Sequence, residues 1–196
     1  MKTSAERGRE VRRKLLDAAA DLIPERGWTA VSTRVLAERA GVAPGLVHYH
    51  FPSLQALLSE AALDVIRRVV AETGPLLERA ETLDDGLAAM FGALDAFTGS
   101  DPVSVLFIET YLAAARDEDL RRELTALFTR FRRELVDWLR ARGQETPEET
   151  ASVLAAALDG MMLHRPLNPE LTSAAVMTVL RRLLTRPGGD DRRAGG

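Results

Sequence analysis

Few residues in this chain could do chemistry, and their spacing narrows what that chemistry is. His48-x-His50 is the first candidate for a metal pair. On a helix, side chains at i and i+2 project about 200° apart, so the two imidazoles cannot share one ion. The chain has no cysteine, which removes disulfides, thiolate nucleophiles and cysteine-ligated metals. Glu109 and His164 are the best offer for a helical enzyme. They make a poor set, with no paired carboxylate, no nucleophile beside a base and no metal cluster. The expectation is no catalysis, no metal and no cofactor. What remains is recognition. Pro44, Gly45, Leu46 and Tyr49 fall at the start of one short helix, where an exposed end would meet a ligand. Gly45 lets a backbone approach closely. Leu46 can contact only apolar groups.

The elements that must position these residues are legible around them. Val31 to Phe51 reads V-S-T-R-V-L-A-E-R-A-G-V-A-P-G-L-V-H-Y-H-F. Ser32 can cap a first helix, its hydroxyl accepting a free backbone N–H. Leu36, Ala37 and Ala40 then form one narrow apolar stripe. Gly41 is suited to the left-handed conformation that ends a helix, and Val42 anchors the turn. Pro44 begins the second helix where a missing N–H costs nothing. Val47 and Phe51 are expected to point inward. Helix, glycine turn and short second helix make a helix-turn-helix, whose second helix lies in the DNA major groove. Spacing alone also fits an ordinary corner between two helices.

The flanks decide between these. Upstream lies L-L-D-A-A-A-D-L-I-P-E-R-G-W, an amphipathic helix closing on a glycine and an aromatic; downstream F-P-S-L-Q-A-L-L is a capped start to another helix. Leu15 to Leu58 closely resembles the DNA-binding domain of the TetR family of bacterial regulators. The matching residues are Asp17, Ala18, Ala19, Gly27, Arg34, Ala37, Glu38, Ala40, Gly41, Val42, Gly45, Phe51, Pro52, Ser53 and Leu57. The match is tight over about a quarter of the chain. The resemblance implies that Arg34 also reaches the groove, where arginine to guanine is the commonest specific contact. It implies that Ser32, Thr33, His48 and His50 hold phosphates. Two positions depart from the pattern: Leu54 stands where a phosphate-binding lysine is usual, and Pro44 where a polar or basic residue is common. Both weaken backbone contacts, which shifts weight to Arg12, Arg13 and Lys14.

Charge is distributed to suit such a head. The net charge is −3, yet residues 1–54 carry nine basic side chains against six acidic, while residues 55–196 carry 17 against 23. A basic head on an acidic body places one end on phosphate and keeps the other off. No apolar run approaches the roughly 20 residues of a membrane span, and no apolar segment follows the N-terminal charges, so a cytoplasmic location is expected.

Everything periodic in the chain is helical. The expected fold is all-α with about nine helices, divided into a head over 9–69 (helix-turn-helix 32–51), a body over 70–186 and a disordered tail over 187–196. The first helix is expected from about Glu10 to Ile23, shortened or kinked by Pro24. The helix after Ser53 should run to about Thr73, stopped by Gly74-Pro75. Later starts are placed at Thr82, Asp101-Pro102, Asp117, Thr146-Pro147 and Asn168-Pro169-Glu170. Ten of the thirteen residues from Ala151 to Leu163 are apolar, as are nine of the fourteen from Leu171 to Leu184. Helices apolar over most of their circumference must bury two faces. They fit the centre of a monomer's core, or a homodimer. The resemblance implies the homodimer, with Leu154, Leu158, Ala175, Val176, Val179 and Leu183 in a four-helix interface. By the same analogy the body would hold a pocket for a predominantly apolar effector, drawn from Met90, Leu94, Phe107, Glu109, Tyr111, Phe131, Trp138, Met161 and His164. The function expected is a ligand-responsive transcriptional repressor on a palindromic site in double-stranded DNA. A sequence-tolerant structural DNA binder and a helical enzyme are the alternatives.

Overall fold

The computed structural model describes residues 3–184; the tail expected at 187–196 lies outside the described residues. Those residues form ten α-helices and two short 3₁₀ turns, with no strand among them. The head is built from α1 (Ser4–Arg26), α2 (Thr33–Ala40) and α3 (Gly45–His50), with a 3₁₀ turn at Trp28–Ala30 between the first two. α1 starts six residues before the expected Glu10, because Thr3 and Glu6 close a capping box in which each side chain takes the other's backbone N–H. Pro24 does not end α1 either. It sits in the last turn, and the helix continues to Arg26 before Gly27 at φ 83°.

α2 is capped by the Ser32 hydroxyl, which accepts the Val35 N–H at 3.3 Å, and it ends on Gly41 at φ 66°, ψ 36°. That left-handed residue reverses the chain in three residues, which a Cβ would resist. Leu36, Ala37, Val47 and Phe51 are buried with Leu15, Ala19, Leu22 and Ile23 of α1 beneath them. α4 (Leu54–Ala71) leaves the head capped by Ser53 and packs along α1.

In the body, α5 (Thr73–Arg79) is a further short helix that the sequence reading lacked. Gly74-Pro75 does not terminate the structure there. Pro75 lies in a first turn, where no intrahelical N–H is required. α6 (Leu83–Ala93) opens on a Thr82–Asp85 capping box and runs into a 3₁₀ turn at Leu94–Ala96. α7 (Pro102–Ala114) is capped by Asp101, whose carboxylate accepts the Val103 and Ser104 N–H groups. α8 (Glu118–Ala141) packs on α9 (Pro147–His164), and α10 (Ser173–Leu184) lies against α6. Thr146 makes no side-chain cap, and α9 opens on Pro147 with Glu148 and Glu149 in its first turn. Asn168-Pro169-Glu170 forms a turn rather than the start of the last helix. α10 begins at Ser173, whose N–H and hydroxyl donate to Asp95, while Thr172 accepts the Ala175 N–H.

Candidate nucleic-acid interface and effector cavity

α3 buries Val47 and turns Pro44, Gly45, His48 and Tyr49 outward, with Tyr49 79% exposed. Leu46 and His50 are half-buried, and the Tyr49 and His50 rings meet edge to face at 5.0 Å. Arg34 is exposed in the first turn of α2. Ser32 is exposed as well, but its oxygen is engaged in the cap; Thr33 is half-buried. The N-terminal turns of α1 come alongside: a Cβ on Gly8 would lie 3.8 Å from His50 Cε1. The basic leader and the short helix therefore share one side of the head.

The three basic residues singled out in that leader have different surroundings. Arg12 pairs with Glu60 at 2.6 Å and lies over the Phe51 ring at 4.8 Å. Its guanidinium clamps α1 to α4. Lys14 pairs more loosely with Glu10 at 3.6 Å, and Arg13 is exposed. Arg39, on the far end of α2, makes a two-pronged contact with Glu25 at 2.9 and 2.6 Å. That contact holds Glu25 below the usual carboxylate range.

The body holds a cavity of ≈ 150 Å³ bordered by α4 to α9 and open to solvent, including Met90, Leu94, Phe107 and Phe131. A second, of ≈ 330 Å³, opens between α7 and α9 beside Tyr111, with Met162, Gly160 and Leu163. Phe107, Asp159 and Met162 line both, so the two adjoin. Four of the nine expected pocket residues do not line either space. Glu109 points to the head, where its Oε2 accepts the Trp28 backbone N–H at 2.7 Å. Trp138 donates its indole N–H to the Leu77 carbonyl at 2.8 Å and packs against Gly86, fastening α8 to α5 and α6. Met161 is buried on another side of α9, its place taken by Met162, and His164 is exposed at the helix end.

Tyr111 and Glu109 are two residues apart on α7, so they project to nearly opposite faces. One face of α7 touches the head and the other walls the cavity. The Tyr111 hydroxyl donates to Asp159 Oδ2 at 3.0 Å, and its ring stacks on Phe128 with centroids 5.8 Å apart. Burial pushes the Asp159 carboxyl up, partly offset by the Tyr111 hydrogen bond. Burial likewise pushes the Tyr111 phenol up, with the Asp159 charge adding to it. Asp159 was missed in the sequence, although it is the one ionisable residue in the apolar run from Ala151 to Leu163.

On the last two helices, Val153, Leu163, Val179 and Leu183 are 52–71% exposed, and Leu167 beyond α9 is 85% exposed. Ala175 is exposed and Val176 half-buried. Leu154 is different: it is 1% exposed inside its own subunit. Leu158 is half-buried and lines the inner cavity. Leu154 is therefore closed to a partner.

Residues 15–61 match the family described as bacterial regulatory proteins, tetR family, and residues 78–186 match the tetracyclin repressor-like C-terminal domain. The chain is 30% identical over 160 residues to the HTH-type transcriptional regulator BetI of Rhizobium meliloti, covering 80% of this chain and 79% of that one. SCO7518 of Streptomyces coelicolor A3(2), solved as a candidate transcriptional regulator, superposes with a TM-score of 0.74 at 30% identity, over 90% of this chain and 99% of that one. A candidate regulator from Saccharomonospora viridis, crystallised with choline, superposes at 0.72 with 19% identity, over 89% and 95%. No helix of the described residues is long and apolar enough to cross a membrane.

Proposed function

Because the chain belongs to the TetR family of bacterial regulatory proteins, we propose that this helix-turn-helix transcriptional regulator is a repressor released from a palindromic operator when a small molecule occupies the cavity in its body. α3 is the reading element: Gly45, Leu46 and Tyr49 contact base edges together with Arg34, while Arg13, Thr33 and His48 hold phosphates. Two copies pair through the exposed faces of α9 and α10, with Val153, Leu163, Val179 and Leu183 as apolar contacts. Pairing by a two-fold axis presents two recognition helices to successive major grooves.

The observation that carries effector control is α7. Glu109 holds the Trp28 backbone at the root of α2, and Tyr111 on the opposite face walls the cavity. Trp28 also donates its indole N–H to Gln55 of α4 at 2.8 Å, so a shift of α7 reaches both helices that hold the reading element. An effector that favours one setting of α7 shifts the population away from the spacing that fits DNA. A coupling of about 1–3 kcal/mol weakens operator binding roughly 5- to 150-fold. The Saccharomonospora viridis protein, crystallised with choline on the same fold, is consistent with a small-molecule ligand for this one.

The test is selection of fragments bound by the protein from its source genome, followed by binding assays on the recovered site. The expected result is an inverted repeat with half-sites about one helical turn, or a multiple of it, apart. Recovery of fragments with no shared sequence would favour a structural DNA binder and sink the operator reading.

A further inference from the structure

The lining of the cavity carries a charge pattern that an apolar effector would leave unanswered. Asp159 stands where the inner and outer spaces meet, and the Tyr111 hydroxyl at 3.0 Å is its hydrogen-bond donor. No cation pairs with it among the described residues. Glu72, at the end of α4, is a second carboxylate lining the inner space. Neither space is lined by a lysine, arginine or histidine. The arginines around them are committed elsewhere. Arg165 donates to the Leu94 and Phe97 carbonyls and to Asp95, and Arg121 pairs with Glu118. Arg121 and Arg132 also line the adjoining groove that Tyr111, Phe128 and Asp159 border, where Arg132 reaches Thr129 rather than Asp159. Beside Asp159, the Tyr111 and Phe128 rings stack at an interplanar angle of 11°.

We propose that the effector is a hydrophobic cation, its positive group held between Asp159 and the stacked Tyr111–Phe128 pair and its apolar part lying among Phe97, Phe107 and Met162. This rests on the cavity being the effector site. Asp159 is exposed on α9 where the two spaces adjoin, yet partial burial still raises its carboxyl, and a neutral ligand laid over it would desolvate it further. An anion would be repelled by both Asp159 and Glu72. A cation supplies the missing countercharge, and the electron-rich faces of the rings replace part of the water it loses. The adjoining spaces, ≈ 150 and ≈ 330 Å³, suit a molecule with a compact head and an apolar extension.

The experiment uses the full chain and three probes of similar size: benzyltrimethylammonium, its neutral carbon isostere neopentylbenzene, and the anion 3-phenylpropanoate. Affinity is measured by calorimetry, and release from the selected operator by fluorescence anisotropy. The expected result is that the cation binds at least about tenfold tighter than the isostere, the anion binds weakest, and Asp159→Asn removes the preference while the isostere still binds. A neutral probe that binds as tightly as the cation and still releases DNA overturns the cation class and leaves the effector cavity standing. Failure of all three probes to bind overturns both. An unchanged cation preference in Asp159→Asn overturns the assignment to that carboxylate. Should that variant fail to fold, the ratio in the unaltered protein decides by itself.

Discussion

Arg34 and Arg13 are both exposed arginines of the head, yet they stand in different places and should fail differently when removed. Arg34 lies in the first turn of α2 beside the short helix, so Arg34→Ala is expected to relax preference at one base position per half-site, costing about 1–3 kcal/mol against the correct base. Arg13 belongs to the flank of α1. Arg13→Ala should weaken binding to every sequence and flatten the dependence on salt, as loss of a phosphate contact does. Binding to a randomised site library at several salt concentrations separates the two, and uniform loss in both variants would erase the division between readers and holders. Arg12 serves a third purpose. Its partner is Glu60 and its plane covers Phe51, so it joins α1 to α4 and is only partly available to phosphate. The sequence placed Arg12, Arg13 and Lys14 in one basic leader because charge is visible in a sequence and partners are not.

At the scale of elements, the caps and the connecting helix carry the predictions. Asp101 accepts from Val103 and Ser104 at the start of α7, and from the Thr98 and Gly99 N–H groups behind it. Burial works against its charge, but the Ser104, Thr98 and Gly99 donors outweigh it and hold the carboxyl below its usual range. A depressed carboxyl contributes stability that is present above its unfolded value and lost as pH falls through the folded one. Asp101→Ala should therefore cost about 1–2 kcal/mol near neutral pH and less in acid, read from urea melts across that range. An equal cost at pH 7 and at pH 3 would show that the ionised cap contributes nothing. Glu109 tests α7 itself. Glu109→Ala removes an acceptor that the Trp28 N–H needs, at about 1.5–3 kcal/mol for a charge-assisted bond. The expected variant still binds effector, and effector no longer releases it from DNA as fully. Normal release would place the coupling elsewhere.

For the whole molecule, the prediction concerns which apolar residues are spare. Val179 is 54% exposed on α10, whereas Leu154 is 1% exposed and Leu158 lines the inner cavity. Val179→Glu should yield folded monomers that lose operator affinity, because a carboxylate buried without a partner costs several kcal/mol at an interface. Leu154→Glu should instead unfold the subunit. Sedimentation with circular dichroism distinguishes them, and a Val179→Glu protein that stays dimeric would move the interface. Asp159, Gly160 and Leu163 belong to the outer cavity and also to the open side of α9. In the proposed dimer, ligand occupancy and subunit pairing would draw on the same stretch of helix, which would give an effector a second route to the spacing of the two heads.

The sequence by itself determined the reading head, the all-helical class and most helix starts, since those depend on contacts within a few residues. Ser32 caps α2, Gly41 ends it, Val47 and Phe51 turn inward, and Asp101-Pro102 opens α7, all from local geometry. Local rules misjudged places where a distant partner intervenes. Asp95 holds Ser173, so the last helix starts there and not at Asn168-Pro169-Glu170. Tertiary structure alone decided the faces of the body helices. Met161 and Met162 are chemically alike, and rotation of α9 by about 100° between them makes one a core residue and the other a cavity wall. Glu109 and Tyr111 are divided in the same way, one to the head and one to the cavity. Periodicity shows that a helix has faces; only the packing of its neighbours settles which face meets the head, the cavity or solvent.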